Sequence, residues 1–286
     1  MSPGELPGHR GWPRTAMNII DIDPVAFAID GLTVRWYGVM VALAVLTILV
    51  VAVLESRRTG ISEEQLYSVF LWGIITGVVM SRAVHVVDYL VSHPGQPIDL
   101  LNFAGLGLYG AIVGAPLGAF LYTRVNHVPW SSMARLGDAV ALGAPLGQAV
   151  GRVGCFINGC CHGAPTAVPW AVVYDHPDSF CALPGVPVHP TQLYFVGWNL
   201  VVFAVIFWMR KRPKPDGSSF VSYVMLYSGG DFVIRFWRVN EVVALGLQQG
   251  QLISLGVILA CVPILVMKWR GYLASQRGEQ GGSLEG

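Results

Sequence analysis

The sequence predicts an all-α, polytopic integral membrane protein with about seven transmembrane helices, an outside N-terminus and a cytoplasmic C-terminus. Three observations support this fold class. Of the 286 residues, 53% are hydrophobic and only 12% are charged, whereas soluble domains carry about 25% charged residues. Apolar runs of bilayer length recur along the chain. Lys and Arg also cluster beyond alternate ends of these runs, as in multispanning proteins.

Seven apolar runs are the predicted spans, and the fourth, DAVALGAPLGQAVG, is short and rich in Gly and Pro. The runs cover approximately residues 36–55, 64–85, 104–124, 136–151, 190–210, 219–238 and 250–269. In the third run small residues recur every three or four positions, a spacing that lets helices approach closely. We therefore interpret its glycines as packing positions. They are Gly105, Gly107, Gly110, Gly114 and Gly118.

The basic residues predict the orientation of these spans. Eleven of the 18 lie on one side, including Arg57 and the segment RKRPK at 210–214. The loops on the other side, 86–103, 153–189 and 239–249, contain neither Lys nor Arg. Because positive charge is retained in the cytoplasm, we expect the loop 153–189 to face outward.

The two ends of the chain are predicted to lie apart from the membrane domain. Residues 1–16 have no apolar core and no small-residue cleavage site, so they are not typical of a secretory signal. We interpret them as a disordered extension, or as untranslated if Met17 is the true start. Residues 17–270 form the predicted transmembrane domain, and residues 271–286 a polar cytoplasmic tail. A net charge of +1 gives no indication of a nucleic-acid partner.

Five arginines lie at or inside predicted spans, where a central Arg costs about 2.5–3.5 kcal/mol on insertion scales. They are Arg35, Arg82, Arg152, Arg235 and Arg238. Asp231 and Arg235 are four residues apart on one helix face and could pair with each other. Any single arginine could instead snorkel or bridge helices. Several together at the outward ends of spans favour a pocket for a lipid phosphate, which guanidinium binds bidentately.

The stretch GRVGCFINGCCHG, residues 151–163, combines an arginine with three cysteines and a histidine. The atoms suit zinc, but the spacing C-x4-C-C-H does not, because adjacent cysteines seldom chelate one ion together. We therefore predict no metal at this stretch. A disulfide from Cys160 or Cys161 to Cys181 fits an oxidising outward side. A reactive thiol and inert small residues are the remaining alternatives.

The same stretch resembles the signature of prolipoprotein diacylglyceryl transferases, G-R-x-G-N-F-x-N-G-E-x-x-G. Four other segments resemble family segments in the same order along the chain. They are DPVAFAI...VRWYGVM at 23–40, SRAVHVVDY at 81–89, VHPTQLY at 188–194 and QGQLISLGVIL at 249–259. The resemblance therefore extends over most of the sequence.

The resemblance implies a multi-pass enzyme of the bacterial cytoplasmic (inner) membrane. Such an enzyme moves the diacylglyceryl group of phosphatidylglycerol, a membrane lipid, to the lipobox cysteine thiol of a preprolipoprotein that carries a signal peptide. Glycerol phosphate leaves, and no cofactor is implied. By position, Arg152 would bind the headgroup phosphate. The substrate-binding candidates are Arg152, Tyr37, Asn158, Gly163, Gln192, Tyr194 and Arg82. The catalytic candidates are Arg152, Tyr109 and Arg238.

The third span departs from the family pattern at the predicted base. Tyr109 stands where the family usually has a histidine, and the ordinary pKa of tyrosine is about 10. Tyr109 could still hydrogen-bond the headgroup. His85, His162 or His189 could serve as the base instead, and spacing does not choose among them.

Three further positions differ from the family pattern. Asp231 and Arg235 stand where the family has Arg and Glu, and Phe195 stands where it has Glu. Two alternatives to the transferase therefore stay open. One is a diverged paralogue that uses another phospholipid or acceptor, and the other is a non-enzymatic membrane protein that binds or transports lipid.

Overall fold

The structure, a computed structural model, describes residues 18–29, 32–92 and 108–282. Three short strands, β1 (Asn18–Ile20), β2 (Val25–Ile29) and β3 (Leu32–Arg35), precede the helix α1 (Trp36–Thr59). The helices α2 (Glu63–Ser92), α3 (Leu108–Val125) and α4 (Trp130–Asn158) follow. The remaining elements are β4 (Val172–Tyr174), α5 (Thr191–Met209), α6 (Ser218–Ile234), a 3₁₀ turn (Arg235–Trp237), β5 (Val242–Ala244), β6 (Leu247–Gln248) and α7 (Gln249–Gly282).

The seven α-helices of the described residues coincide with the seven predicted apolar runs. Five of them, α1, α2, α4, α5 and α7, are long and apolar enough to cross a membrane by length and composition. The described parts of α3 and α6 have 18 and 17 residues, near the lower limit of about 17–25 residues for a span. The structure is therefore that of a mostly helical membrane protein.

Some helices extend beyond their apolar runs. The fourth run is the core of a 29-residue helix that includes Pro145. The last helix continues through the predicted tail to Gly282. Hydropathy detects only the apolar part of a helix, so the polar turns at both ends were missed. The predicted extension 1–16 lies outside the described residues.

Among the described residues, three two-stranded sheets accompany the helices, and the all-α prediction did not include them. β1 pairs with β4 in parallel, whereas β2 pairs with β3 and β5 with β6 in antiparallel fashion. Their strands have two to five residues. Such short strands carry too little alternation of apolar and polar residues to be detected by periodicity.

The chain divides into two compact units, and the second comprises Leu49–Val140. In this unit α3 packs against α2 through its glycines. A Cβ atom at Gly114 would lie 2.5 Å from the Thr76 carbonyl oxygen and 2.9 Å from the Gly77 Cα. The Thr76 hydroxyl also donates to the Gly114 carbonyl oxygen at 2.8 Å. The packing role predicted for the glycines is confirmed for Gly110, Gly114 and Gly118, while Gly105 and Gly107 lie outside the described residues.

The first unit comprises residues up to Ile48 and from Ala141 onward. Here α4 packs against α1 through glycines, since a Cβ atom at Gly154 would lie 2.7 Å from the Met40 Cβ. A second close contact joins α5 to α6, where the Trp198 indole donates to the Leu226 carbonyl oxygen at 2.9 Å. The indole occupies the space above Gly230. Small residues thus bring the helices of this unit together.

The connection between α4 and α5 folds around a small core of its own. Val172, Tyr174 and Val188 are buried, and Phe156 packs against them. β4 within this connection pairs with β1, with Asn18 opposite Val172. The connection is therefore an ordered cap, and the turn at its start holds the last residues of the 151–163 stretch, whose first eight residues end α4.

Candidate active site

Arg152 lies in the last two turns of α4, and its guanidinium has aromatic neighbours. Its Cζ atom lies 4.1 Å from the centroid of the Phe195 ring on α5. The Tyr227 hydroxyl on α6 shares a side-chain hydrogen bond with it. No carboxylate of the described residues lies within ion-pair distance of Arg152. Because its charge is not neutralised by the protein, Arg152 can bind an anion bidentately.

Arg235, unlike Arg152, is paired with a carboxylate. Its Nε atom donates to Asp231 Oδ2 at 2.6 Å, which confirms the pairing predicted from their spacing. The Ser254 hydroxyl on α7 donates to the same oxygen at 2.8 Å. Asp231 is 5% exposed. This pair therefore stabilises the packing of α6 against α7, and Arg235 is occupied.

Arg35 also makes protein contacts. Its Nε atom donates to Asn158 Oδ1 at 3.2 Å, its Nη2 donates to the Asp178 carbonyl oxygen, and its Cζ lies 3.8 Å from the Phe180 ring centroid. Asn158, the last residue of α4, is 4% exposed and accepts a backbone hydrogen bond from Phe180. Arg35 and Asn158 thus join β3, α4 and the cap.

The turn after α4 reverses the chain through two left-handed residues. Gly159 has φ 77° and Cys161 has φ 63°, a region that glycine adopts readily and cysteine rarely. Two side chains at the start of α5 donate hydrogen bonds to the carbonyl oxygens of this turn. Thr191 Oγ1 donates to the Cys161 oxygen at 2.8 Å, and Gln192 Nε2 donates to the Cys160 oxygen at 2.7 Å. Such a strained turn persists because its surroundings hold it.

Gln192 is fully buried at this point. Its Nε2 also donates to the Tyr174 hydroxyl at 3.3 Å, and burial raises the pKa of Tyr174, which therefore stays protonated. The Oε1 atom of Gln192 has no hydrogen-bond partner among the described residues. A buried amide oxygen without a partner costs free energy, so this atom is available to a donor from a ligand or water.

Gly163 lies where three segments converge. Its N–H donates to the His189 carbonyl oxygen at 2.8 Å. A Cβ atom there would lie 2.7 Å from the His189 Cβ and 2.8 Å from Thr191 Cγ2, and would also meet the Trp237 carbonyl oxygen. Only glycine therefore fits at this position.

Tyr194 centres a small polar and aromatic cluster beside this glycine. Its hydroxyl accepts from Trp170 Nε1 at 2.7 Å and lies 3.0 Å from His189 Nδ1. Its ring packs edge-to-face on Trp237, with centroids 5.9 Å apart. Burial lowers the pKa of His189, so this imidazole stays neutral to lower pH than a free histidine.

Arg238 follows the 3₁₀ turn, and its backbone is anchored from β6. Gln248 Nε2 donates to the carbonyl oxygens of Arg238 at 2.9 Å and Arg235 at 3.0 Å. The Nε atom of Arg238 is buried without a hydrogen-bond partner among the described residues. The charges of Arg238 and Arg152 both act on the thiol of Cys161. The two arginines therefore both lie near this turn.

The cysteines of the stretch converge more closely than their spacing predicts. The Sγ atoms of Cys155, Cys160 and Cys161 all lie within 4.8 Å of one another. Tyr37, in the first turn of α1, lies beside them and beside Arg152. The five cysteines of the chain are free thiols in the structure, and burial raises the pKa of Cys181. The disulfide from Cys160 or Cys161 to Cys181 stays a prediction.

Not all predicted residues belong to this unit. The backbone of Tyr109 lies in the first turn of α3 and Arg82 lies on α2, both within Leu49–Val140. The side chain of Tyr109 lies outside the described residues. The first unit brings together the other predicted residues. They are Tyr37, Arg152, Asn158, Gly163, Gln192, Tyr194 and Arg238.

Sequence reasoning missed two residues at Arg152. Tyr227 begins the segment YSGGDFVIRFWR, so the resemblance contained a signal for it. Phe195 was noted only as a departure from the family pattern. Nothing in the sequence indicated that its ring would lie on the guanidinium, because Phe195 and Arg152 are distant along the chain.

The helices and the site define a class of protein: a helical membrane protein with an unneutralised arginine beside a strained, cysteine-rich turn. Comparisons with known proteins identify the family. A sequence model of the prolipoprotein diacylglyceryl transferases matches residues 24–267. The chain belongs to this family.

Individual relatives agree with the family match over most of their length. A protein of Dehalococcoides mccartyi strain 195 is 37% identical over 252 residues, which cover 88% of this chain and 95% of the relative. A protein of Clostridioides difficile strain 630 is 35% identical over 240 residues, covering 83% and 92%. Both are named phosphatidylglycerol--prolipoprotein diacylglyceryl transferase.

Proposed function

We propose that this chain transfers the diacylglyceryl group of phosphatidylglycerol to the lipobox cysteine thiol of preprolipoproteins. Membership of the family and the names of its relatives support this function. The structural observation that carries it is Arg152, a guanidinium without a carboxylate partner in the described part of the chain.

The chemistry requires stabilisation of one leaving group. The acceptor sulfur forms a bond to the glyceryl carbon, the bond from that carbon to the phosphate oxygen breaks, and glycerol phosphate departs. The thiol proton passes to a base. Negative charge grows on the phosphate oxygens, and a preorganised guanidinium in a low-dielectric site stabilises it. Arginine charge can supply this stabilisation, so no cofactor is proposed.

The roles proposed for the other residues follow from their contacts. Arg238 adds a second positive charge beside the turn. Tyr37 lines the pocket next to Arg152, and Gln192 holds the turn through the Cys160 carbonyl group. Asn158, Gly163 and Tyr194 fix the positions of the cap and of the start of α5. For Tyr109 and Arg82 only the family resemblance supports a substrate role.

The proposed setting is the bacterial cytoplasmic (inner) membrane, with seven spans, an outside N-terminus and a cytoplasmic C-terminus. The asymmetry of Lys and Arg between loops supports this orientation. The α4–α5 cap then faces outward, where signal peptides of preprolipoproteins and membrane phosphatidylglycerol would both reach Arg152. The proposed domain division is an N-terminal extension 1–16, a transferase domain 17–270 and a tail 271–286.

Complementation tests the proposal. The native transferase is depleted in a host that requires it, this chain is expressed, and lipidation of one lipoprotein is followed by gel shift. We expect rescue by the wild type and by Arg57→Ala, a matched control far along α1, and no rescue by Arg152→Ala. Tyr109→Phe then reports whether the tyrosine hydroxyl is required.

Reconstitution with purified protein, phosphatidylglycerol and a lipobox peptide separates the alternatives. The diacylglyceryl thioether, detected by mass spectrometry, supports the proposal. A different lipid on the peptide would indicate a diverged paralogue. Phospholipid binding without any turnover, in well-inserted protein, would overturn the transferase in favour of a lipid-binding protein.

A further inference from the structure

We propose that Cys155, Cys160 and Cys161 form a binding site for one soft, thiophilic metal ion, Cu⁺ or Zn²⁺. This inference goes beyond the transfer reaction and does not require it. It reverses the expectation drawn from spacing, under which adjacent cysteines do not bind one ion. The convergence of the three thiols in space is the observation that carries it.

The distances suit a thiolate site. The three Sγ atoms lie within 4.8 Å of one another. A metal–sulfur bond of about 2.3 Å places the sulfurs of a trigonal site roughly 4 Å apart. The distances between the sulfur atoms would have to shorten by less than about 1 Å to reach this spacing. Rotation of the Cys160 and Cys161 side chains is enough for such a change.

The backbone explains how adjacent cysteines can share one ion. In an extended chain, neighbouring side chains point apart. Here Cys161 adopts φ 63° directly after Gly159 at φ 77° and Cys160, so the chain folds back towards the end of α4. The Cys160 thiol accordingly reaches the carbonyl oxygen of Cys155 at 3.8 Å. The carbonyl groups of Cys160 and Cys161 are held by α5, which keeps the turn in this form.

The charges around the thiols favour the same site. Three thiolates exceed the charge of Cu⁺ by two and of Zn²⁺ by one. Arg152 and Arg238 interact electrostatically with the Cys161 thiol, and their positive charges would offset this excess. An all-sulfur donor set selects soft metals over Mg²⁺ or Ca²⁺. Cys155 is 8% exposed and the other two are half-buried, so an ion can enter from the turn.

A second group of donors provides a control. Asp23, His176 and Asp178 also have ligand atoms within 4.8 Å, but both carboxylates are exposed. Exposed carboxylates with one histidine bind Zn²⁺ weakly and have little preference for Cu⁺. His176→Ala removes this group without touching the thiols.

The experiment uses the full chain in detergent, reduced, stripped with a chelator and then loaded separately with Zn²⁺ or Cu⁺ under anaerobic conditions. Metal per chain is measured by elemental analysis after desalting. Thiols are then alkylated and located by mass spectrometry. We expect one ion per chain and protection of Cys155, Cys160 and Cys161, with Cys181 alkylated.

Single substitutions decide the assignment. Cys155→Ser, Cys160→Ser and Cys161→Ser should each weaken binding at least about tenfold, while Cys181→Ser and His176→Ala should not. Retention of Cu⁺ alone or of Zn²⁺ alone identifies the ion. The proposal is overturned if neither ion is retained, if binding survives Cys155→Ser, or if it is lost in His176→Ala. Where a serine variant fails to fold, the alkylation experiment on the wild type tests the same assignment, because bound metal should protect only the three ligand cysteines.

Discussion

Arg152 and Arg235 lie in the same unit, yet the protein treats the two guanidinium groups in opposite ways. Arg235 bonds to the buried Asp231 carboxylate, which Ser254 also contacts. Arg152 lies on the Phe195 ring and beside Tyr227, with no carboxylate among the described residues near it. A paired arginine has its charge satisfied by the fold. An aromatic ring does not neutralise an arginine, so a guanidinium on an aromatic face can still form an ion pair with an anionic ligand.

This difference teaches how to interpret an arginine in an apolar segment. Both residues lie in or beside apolar segments, and both match positions of the family pattern or its exchanged form. What separates a structural arginine from a substrate-binding one is the presence of a carboxylate in space. The Asp231–Arg235 exchange therefore leaves the packing of α6 against α7 intact, and the proposed phosphate role falls to Arg152 and Arg238.

The largest expected effect is the loss of transfer rate caused by Arg152→Ala. Removing one preorganised group that stabilises the leaving phosphate should lower the transfer rate by about 100-fold to 1,000-fold. Thermal stability should change little, because Arg152 has no ion pair with any described residue. The measurement is the rate of thioether formation with saturating phosphatidylglycerol.

Arg152→Lys sharpens this result, because lysine keeps the charge but not the bidentate fork. It should recover less than a tenth of the lost rate. Full activity of Arg152→Ala would show that the phosphate binds elsewhere. The proposed difference in function between Arg152 and Arg235 would then be wrong.

The second largest expected effect is the loss of stability caused by Asp231→Asn. This change leaves the partly buried Arg235 charge unpaired, which should lower the free energy of unfolding by about 3 kcal/mol. Activity per folded molecule should fall by less than tenfold. Thermal unfolding in detergent, with the transfer rate normalised to folded protein, separates the two quantities.

A double variant tests the reason for this loss. Asp231→Leu with Arg235→Met removes both charges, so most of the lost stability should return. If the double variant is no better than Asp231→Asn, the pair contributes through something other than mutual neutralisation.

A smaller effect is expected from Gly163→Ala. The added methyl would overlap His189 and Thr191, and overpacking of this kind costs about 1–3 kcal/mol. Gly197→Ala on α5 is the matched control, since a Cβ atom there meets nothing within 4 Å. It should be neutral or slightly stabilising, because alanine has the higher helix propensity. Equal thermal midpoints for the two variants would contradict the close approach at Gly163.

The smallest effect concerns pH. Burial lowers the pKa of His189 in the folded protein, so the unfolded chain binds the proton more readily. The stability that this difference contributes is therefore complete above the unfolded pKa of about 6.5 and is lost as pH falls through the lower, folded pKa. Thermal midpoints measured from about pH 7 down to pH 5 should decline less in His189→Asn than in the wild type. Identical declines would show that His189 is not responsible.

Much of the fold could be predicted from the sequence because its signals are local. All seven α-helices of the described residues coincide with apolar runs, and the glycines of α3 pack as their spacing indicated. The strands and the polar ends of α4 and α7 were missed, since short strands have no clear periodicity and polar helical turns carry no hydropathy signal.

The candidate site was predicted less completely, and the reason lies in distance along the chain. The stretch 151–163 and the pairing of Asp231 with Arg235 were found because each is a local pattern. The stacking of Phe195 on Arg152 and the support of the Cys160 carbonyl by Gln192 join segments about 30 to 40 residues apart. No local pattern encodes such contacts.

The sequence by itself determined the membrane class, the helical segments, the family and the stretch that carries Arg152. Hydropathy, charge asymmetry and motif order are properties of residue types along the chain, so they need no coordinates. Only the tertiary structure decided which arginine is neutralised and that three thiols converge within 4.8 Å. Electrostatic neutralisation and metal ligation depend on distances through space, and those distances are set by packing and by a left-handed turn.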